Sequence, residues 1–292
     1  MSRQVKFSVR IHQQGYTFED LKRVWTQADR LGYHSATLYD LLNAPALECW
    51  TTLSALAAVT KRIRLTSLVL ANTYRPPALL AKMSATLDVI SGGRLELGIG
   101  SGGGREDHQA SGISFPSTAE RVRMLEEAAQ LIKKSWTEPE ADFQGRYYSL
   151  DRSVNEPKPV QQPHPPLLIG GHGETHLLRA VATHADICNI GFEMSLEDHK
   201  VKMDVLERHC DQVGRDLSDI EVTHNTRIVI AETPGKFEAL AAQGAADANV
   251  NLIDYKESLS RAIAGTPEQC TQQIESYVQA GIRYFMLIFQ DP

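Results

Sequence analysis

The chain is poor in cysteine, has no run of basic residues and no long apolar stretch, and each shortage removes a class of function. Its four cysteines, Cys49, Cys188, Cys210 and Cys270, lie far apart with no C-x-x-C pair. They read as buried thiols of a reducing compartment, not as disulfides or metal ligands. No apolar run approaches the length of a membrane span, and the opening MSRQVKFSVR turns polar too early for a signal peptide. A cytoplasmic protein is therefore expected. Lys plus Arg number 30 against 36 Asp plus Glu, a net charge of −6, and no Lys/Arg-rich segment stands out. Nucleic acid and anionic membranes are poor partners for such a surface.

What the chain does have is alternation. At 292 residues it suits one α/β barrel and can bury a large core without staples. Strand patterns fall over 5–11, 35–39, 63–70, 95–99, 167–169, 186–190, a stretch within 220–231, and 284–289. Helical patterns separate them. Thr17 caps a stripe of Phe18, Leu21, Val24, Ala28 and Leu31 that Gly32 closes; others cover 49–59 and 78–90. Ser117 and Glu120 form a capping box, and Thr266-Pro267-Glu268-Gln269 is another helix start. Residues 137–166 form a long excursion, and 232–265 reads as helical. Eight strands, with no linker or repeat, predict a single-domain (β/α)8 TIM barrel over 1–292. The loops after its strands would then form the active face.

Three of those loops have unusual composition. Gly98-Ile-Gly100-Ser-Gly102-Gly103 satisfies G-x-G-x-x-G. A dinucleotide fingerprint needs its glycines to open a helix directly, and here Gly112 and Pro116 intervene before the capped helix. A glycine turn that lets backbone approach a flat ligand fits better, with a plain tight turn as the alternative. Gly170-Gly171-His172-Gly173-Glu174-Thr175 joins a strand to a helix, where free amides brought close by glycine suit phosphate; an ordinary turn is the other reading. His172 and His176 lack a third ligand and are not H-E-x-x-H, and strand one has no H-x-H, so no metal is expected. Asp40 follows strand two and is equally a catalytic group or a turn cap. His12 and Asn189 lie at strand ends and line the pocket on this reading.

Together LECWTTLSALAAVTKRIRL (47–65), YRPPALLAKMSATLDVISGGRLELGIGSG (74–102), FQGRYYSL (143–150), EPKPVQQPHPPLLIGGHGE (156–174) and ADICNIG (185–191) carry a resemblance over nearly the full length. The chain resembles the bacterial-luciferase-like superfamily, in particular the group that uses coenzyme F420, a deazaflavin. The resemblance implies a ring held near the ends of strands two to four, with phosphate at 170–175. It places a bulge with a non-prolyl cis peptide at Leu68-Val69. Leu68, Val69, Leu70, Asn72, Ser101 and Gly102 would then meet the ring, with Asp40 and Ser101 as the candidate reacting groups. Leu41 stands where many deazaflavin relatives have His, Ser101 where some have Glu, and Gly103 where close relatives have Trp. The implied function is hydride transfer to or from a small organic substrate. An FMN-dependent two-component monooxygenase and a non-catalytic binding barrel are the alternatives, and relatives of this kind are often homodimers.

Overall fold

The computed structural model describes residues 4–289. Eight parallel strands close into a barrel: β1 (Lys6–Arg10), β2 (Ser35–Leu38), β3 (Arg64–Ser67), β4 (Leu95–Gly100), β5 (Leu167–Gly170), β6 (Ile187–Phe192), β7 (Glu221–Ile230) and β8 (Tyr284–Phe289). Each pairs with the next, and β8 returns to β1 in the register Lys6↔Tyr284 to Val9↔Leu287. This is the expected TIM barrel. Local chemistry sets its helices. Thr17 and Asp20 form a capping box for Phe18–Leu31, and Gly32 stops that helix in the left-handed conformation. Ser117 with Glu120 does the same for Thr118–Thr137. No described helix is long and apolar enough to cross a membrane.

Alternate strand residues point inward and stack in layers. At the N-terminal end the layer is polar: Ser8, Ser35, Thr66, Glu96 and Tyr284, all buried. Above it Leu68, Leu168, Ile187 and Met286 form an apolar plug, with Val69 packed on top. The larger core lies outside, between the barrel wall and the helices.

The structure departs from the sequence reading in four places. The third strand stops at Ser67, short of the expected 70, at a cis Leu68–Val69 peptide that is where the resemblance placed it, and pairing resumes only at Leu70–Ala71, against β4. The excursion at 137–166 holds an antiparallel hairpin, Ala141–Gln144 with Ser149–Ser153. Its turn is held from a distant helix, because the Glu127 carboxylate accepts the N–H groups of Arg146, Tyr147 and Tyr148 at 2.8, 2.8 and 3.2 Å. A short helix, Arg105–Ala110, sits inside the glycine loop after β4. Within 232–265, two α-helices are followed by an added strand, Ile263–Gly265, that pairs with β7.

Candidate active site

The end of β3 shapes the mouth. After the cis peptide, the Val69 side chain turns between β4 and β5 and rests on three glycines. A Cβ built on Gly98, Gly100 or Gly170 would stand 3.2, 2.8 or 2.9 Å from a Val69 methyl. The one on Gly98 would also meet the Ser67 carbonyl oxygen at 1.9 Å. Gly98 and Gly100 are thus strand residues that seat the bulge, and the loop glycines are Gly102, Gly103 and Gly104. A dinucleotide fingerprint is excluded by the fold: Gly98 and Gly100 lie inside the fourth strand of a closed barrel and seat Val69, although a six-residue helix does open after Gly104.

Above Val69 lies a cavity of about 350 Å³. Of the candidate residues it brings together Asp40, Val69, Leu70, Ser101, Gly102 and Gly170, and adds Tyr74, Gly103 and Asp107. A roomier hollow of about 690 Å³ opens on the outer wall of β1 and β8, among Val5, Phe7, Ile228 and Leu287, away from the strand-end loops.

Asp40 is firmly held. Its carboxylate accepts two bonds from Arg75, at 2.8 and 2.9 Å, and one from the Ala71 N–H at 2.9 Å. Arg75 also donates to Glu48 at 2.7 Å. Burial alone would lower the Arg75 pKa, but Asp40 and Glu48 outweigh it and raise it, so the guanidinium stays charged. Neither Arg75 nor Glu48 stands out in the sequence, because a charge pair between successive βα loops has no fixed spacing.

The loop after β4 is pinned from beneath. His108, fully buried, contacts Thr73 Oγ1 through Nε2 at 2.7 Å and the Gly104 carbonyl through Nδ1 at 2.8 Å. The carbonyl can only accept, so Nδ1 carries the proton. Phe115 lies under the guanidinium of Arg121, 3.9 Å from ring centre to charge, and Arg121 donates to the Gly102 carbonyl at 3.2 Å. Ser101 is thereby presented, half-buried, on the cavity wall. Beside it Asn72 is buried; its amide nitrogen donates to Tyr148 at 3.2 Å, and its Oδ1 has no partner among the described residues.

The remaining candidates occupy the rim and the interior. Leu68 belongs to the apolar plug. His12 is exposed and packs on Tyr39, with centroids 4.8 Å apart, and Leu41 is half-buried. Asn189 is inside the barrel, donating to Thr223 at 2.8 Å. His172, Gly173, Glu174 and Thr175 are exposed, whereas the Gly171 N–H is spent on the Asn189 carbonyl at 2.8 Å. The following helix starts at Leu177, with no side-chain cap on its first turn. Lys202 and His209 tether this loop, bonding the Glu174 carboxylate and carbonyl at 2.6 and 2.8 Å.

Known proteins share this arrangement of the chain. The F420-dependent glucose-6-phosphate dehydrogenase of Amycolatopsis mediterranei is 26% identical over 300 residues, covering 94% of this chain and 88% of that protein. The FMNH(2)-dependent dimethylsulfone monooxygenase of Pseudomonas putida is 26% identical over 262 residues, covering 80% and 71%. Among solved structures, an F420-dependent secondary alcohol dehydrogenase in complex with an F420-acetone adduct superposes with a TM-score of 0.82 at 20% identity, covering 99% of this chain and 94% of the other. The family described as luciferase-like monooxygenase matches residues 2–284. With a match of that extent, the chain belongs to the luciferase-like monooxygenase family.

Proposed function

We propose that this protein is an oxidoreductase that uses coenzyme F420 to pass a hydride to or from a small organic substrate. The observation that carries this reading is the wall at the mouth: Val69 seated on Gly98, Gly100 and Gly170, beside Gly102 and Gly103. Such a surface accepts a flat ring without side chains in its way, and the unpartnered Asn72 Oδ1 offers a buried acceptor to a ring N–H. When bound, the deazaflavin supplies a two-electron hydride centre. The chain's own residues position, shield and hydrogen-bond. Leu68, Val69, Leu70, Asn72 and Gly102 would back the ring, and 170–175 would take the phosphate. Asp40 is the polar partner that fixes the wall, holding Ala71 and Arg75 with both oxygens. Ser101 is the candidate for a hydrogen bond to the reacting group. His12, Leu41 and Asn189 frame the substrate side.

FMN is the second reading, favoured by the similarity to the FMNH(2)-dependent relative. Titrating the protein with F420 and with FMN, following fluorescence, separates the two. Saturable quenching by F420 and none by FMN is expected. The reverse moves the protein to the FMN reading, and binding of neither leaves a barrel without flavin chemistry. A cytoplasmic setting belongs to the same reading, supported by four free, buried thiols. So does a homodimer, which light scattering tests.

The phosphate assignment has its own test. Gly171 is a poor position to probe, because its φ of +142° strains any other residue and a Cβ there would collide with Leu177 at 1.9 Å. Gly173 is clean, its nearest contact being 3.6 Å. Gly173→Val should keep the fold yet cover the neighbouring amides and weaken F420 binding about tenfold, the worth of one charge-assisted hydrogen bond. Unchanged affinity would remove phosphate from this loop.

A further inference from the structure

Arg10 lies on the inner face of β1, one turn of the pleat above Ser8, and is only 9% exposed. Its guanidinium sits between two rings, 4.6 Å from the centre of Tyr39 and 4.9 Å from that of Phe192. Among the described residues it makes one hydrogen bond, from Nη1 to Asn225 Oδ1 at 2.6 Å, and Nε is buried with no partner. No carboxylate of the described residues forms an ion pair with it. Glu193 is near enough to act on it through space, but its carboxylate is already bonded to Arg227. Thr37, opposite Arg10 in the β1–β2 register, carries a second buried polar atom, Oγ1, with no partner among the described residues. A buried cation whose only hydrogen-bond partner is neutral is costly; the two rings offset part of that cost, and an opposite charge would offset more.

We propose that Arg10 is an anion-binding group for the substrate, and that the substrate of this enzyme carries an oxyanion, a carboxylate or a phosphate. Aromatic rings flank the guanidinium, so its bonds must lie in its own plane. With Nη1 taken by Asn225, the Nε–Nη2 edge is the free fork, and a fork of two parallel donors matches two oxygens of one oxyanion. The Thr37 hydroxyl adds a third donor. In a ring of eight strands, β1 stands across from β5 and β7 across from β3. Arg10 and Asn225 therefore stand on strands across the barrel from Gly170 and from the strand that leads into Val69. This inference rests on the reading of that mouth as the site of reaction.

Calorimetric titration of the full-length protein with benzoate, phenyl phosphate and benzamide tests it. At least one of the two anions should bind about tenfold or more tightly than benzamide, which has the same ring without the charge. The tighter anion identifies the oxyanion. The preference should vanish in Arg10→Met and survive in Gly173→Val, which separates this site from the phosphate loop. Should Arg10→Met not fold, Thr37→Val replaces it and should weaken the anion several-fold while leaving benzamide unaffected. Benzamide binding as tightly as both anions, or a preference that persists in the folded variant, overturns the proposal. Anion selectivity in a protein that binds neither F420 nor FMN would leave Arg10 its role and remove the cofactor reading instead.

Discussion

Gly98→Ala is expected to destabilise the protein by at least about 3 kcal/mol, while Gly103→Ala changes stability by less than about 0.5 kcal/mol. The two glycines lie five residues apart in one motif, and composition does not distinguish them. Geometry does. A Cβ at Gly98 would stand 1.9 Å from the Ser67 carbonyl oxygen and 3.0 Å from its carbon. Those are backbone atoms of the neighbouring strand, and they cannot swing aside as the end of a side chain can. Ser67 is also bolted to this point: its hydroxyl donates to the Gly98 carbonyl at 2.9 Å and accepts the Gly98 N–H at 3.0 Å. Pushing Ser67 away therefore breaks a local lock and lifts Leu68 and Val69 with it. A methyl added to Gly103 would have nothing within 4 Å, and the residue has no positive φ. Urea denaturation of both variants measures the difference. F420 affinity should also fall with Gly98→Ala. Equal stabilities would mean that the glycines do not seat the bulge.

That contrast also shows where sequence reading reaches its limit. Amphipathic stripes and caps locate the barrel elements well; the helix Cys49–Val59 and the Ser117–Glu120 capping box are where periodicity and side-chain chemistry put them. Such signals are local, and each element carries its own. The bulge is different. By its local pattern Thr66 to Leu70 reads as the end of one uninterrupted strand, and the family resemblance is what places the cis peptide at Leu68-Val69, because the room the bulge needs is provided by Gly98, Gly100 and Gly170 on other strands. Glycine at alternate positions of a strand is the available signal, since it marks close approach of another backbone. In the sequence alone, that approach is indistinguishable from the approach of a ligand. The hairpin at Ala141–Ser153 escapes the local pattern for a related reason: its turn is satisfied by Glu127, outside the segment itself. Arg75 and Arg10 escape it because their partners come from other elements, Asp40 and Glu48 in one case and Asn225 in the other. In β1 the inward polar pair Ser8 and Arg10 is the one hint, a charge on the face that closes the barrel.

Glu96→Gln should cost about 3–5 kcal/mol at neutral pH, the usual penalty for breaking a buried ion pair from one side. Glu96 is 2% exposed and receives bonds from Arg64 at 2.7 Å, Thr66 at 2.7 Å and Tyr284 at 2.8 Å, with His34 at 3.2 Å. Glutamine keeps a single acceptor oxygen and turns an NH2 toward groups that donate. The same carboxylate governs the acid limb of stability. Burial pushes its pKa up, but the bond from His34, the charge of Arg64 and the bond from Thr66 outweigh burial and bring it down from 4.5 to about 2. A lowered carboxylate contributes stability that is complete above its unfolded value and disappears as pH falls through the folded one. The wild type should therefore lose roughly 3 kcal/mol between about pH 4.5 and 2 on account of Glu96. A second group acts at higher pH. His199 and His224, in contact at 2.9 Å between β7 and its covering helix, are held down by burial to about 4 and about 3, against an ordinary 6.5. Their contribution is complete above about pH 6.5 and declines as the solution is acidified toward 3. In urea titrations across this range, Glu96→Gln should keep the decline that the histidines set, from pH 6.5 down to about 3, and should fall less steeply than the wild type below pH 4.5. A variant whose stability still falls in parallel with the wild type below pH 4.5 would show that the acid limb belongs to other carboxylates.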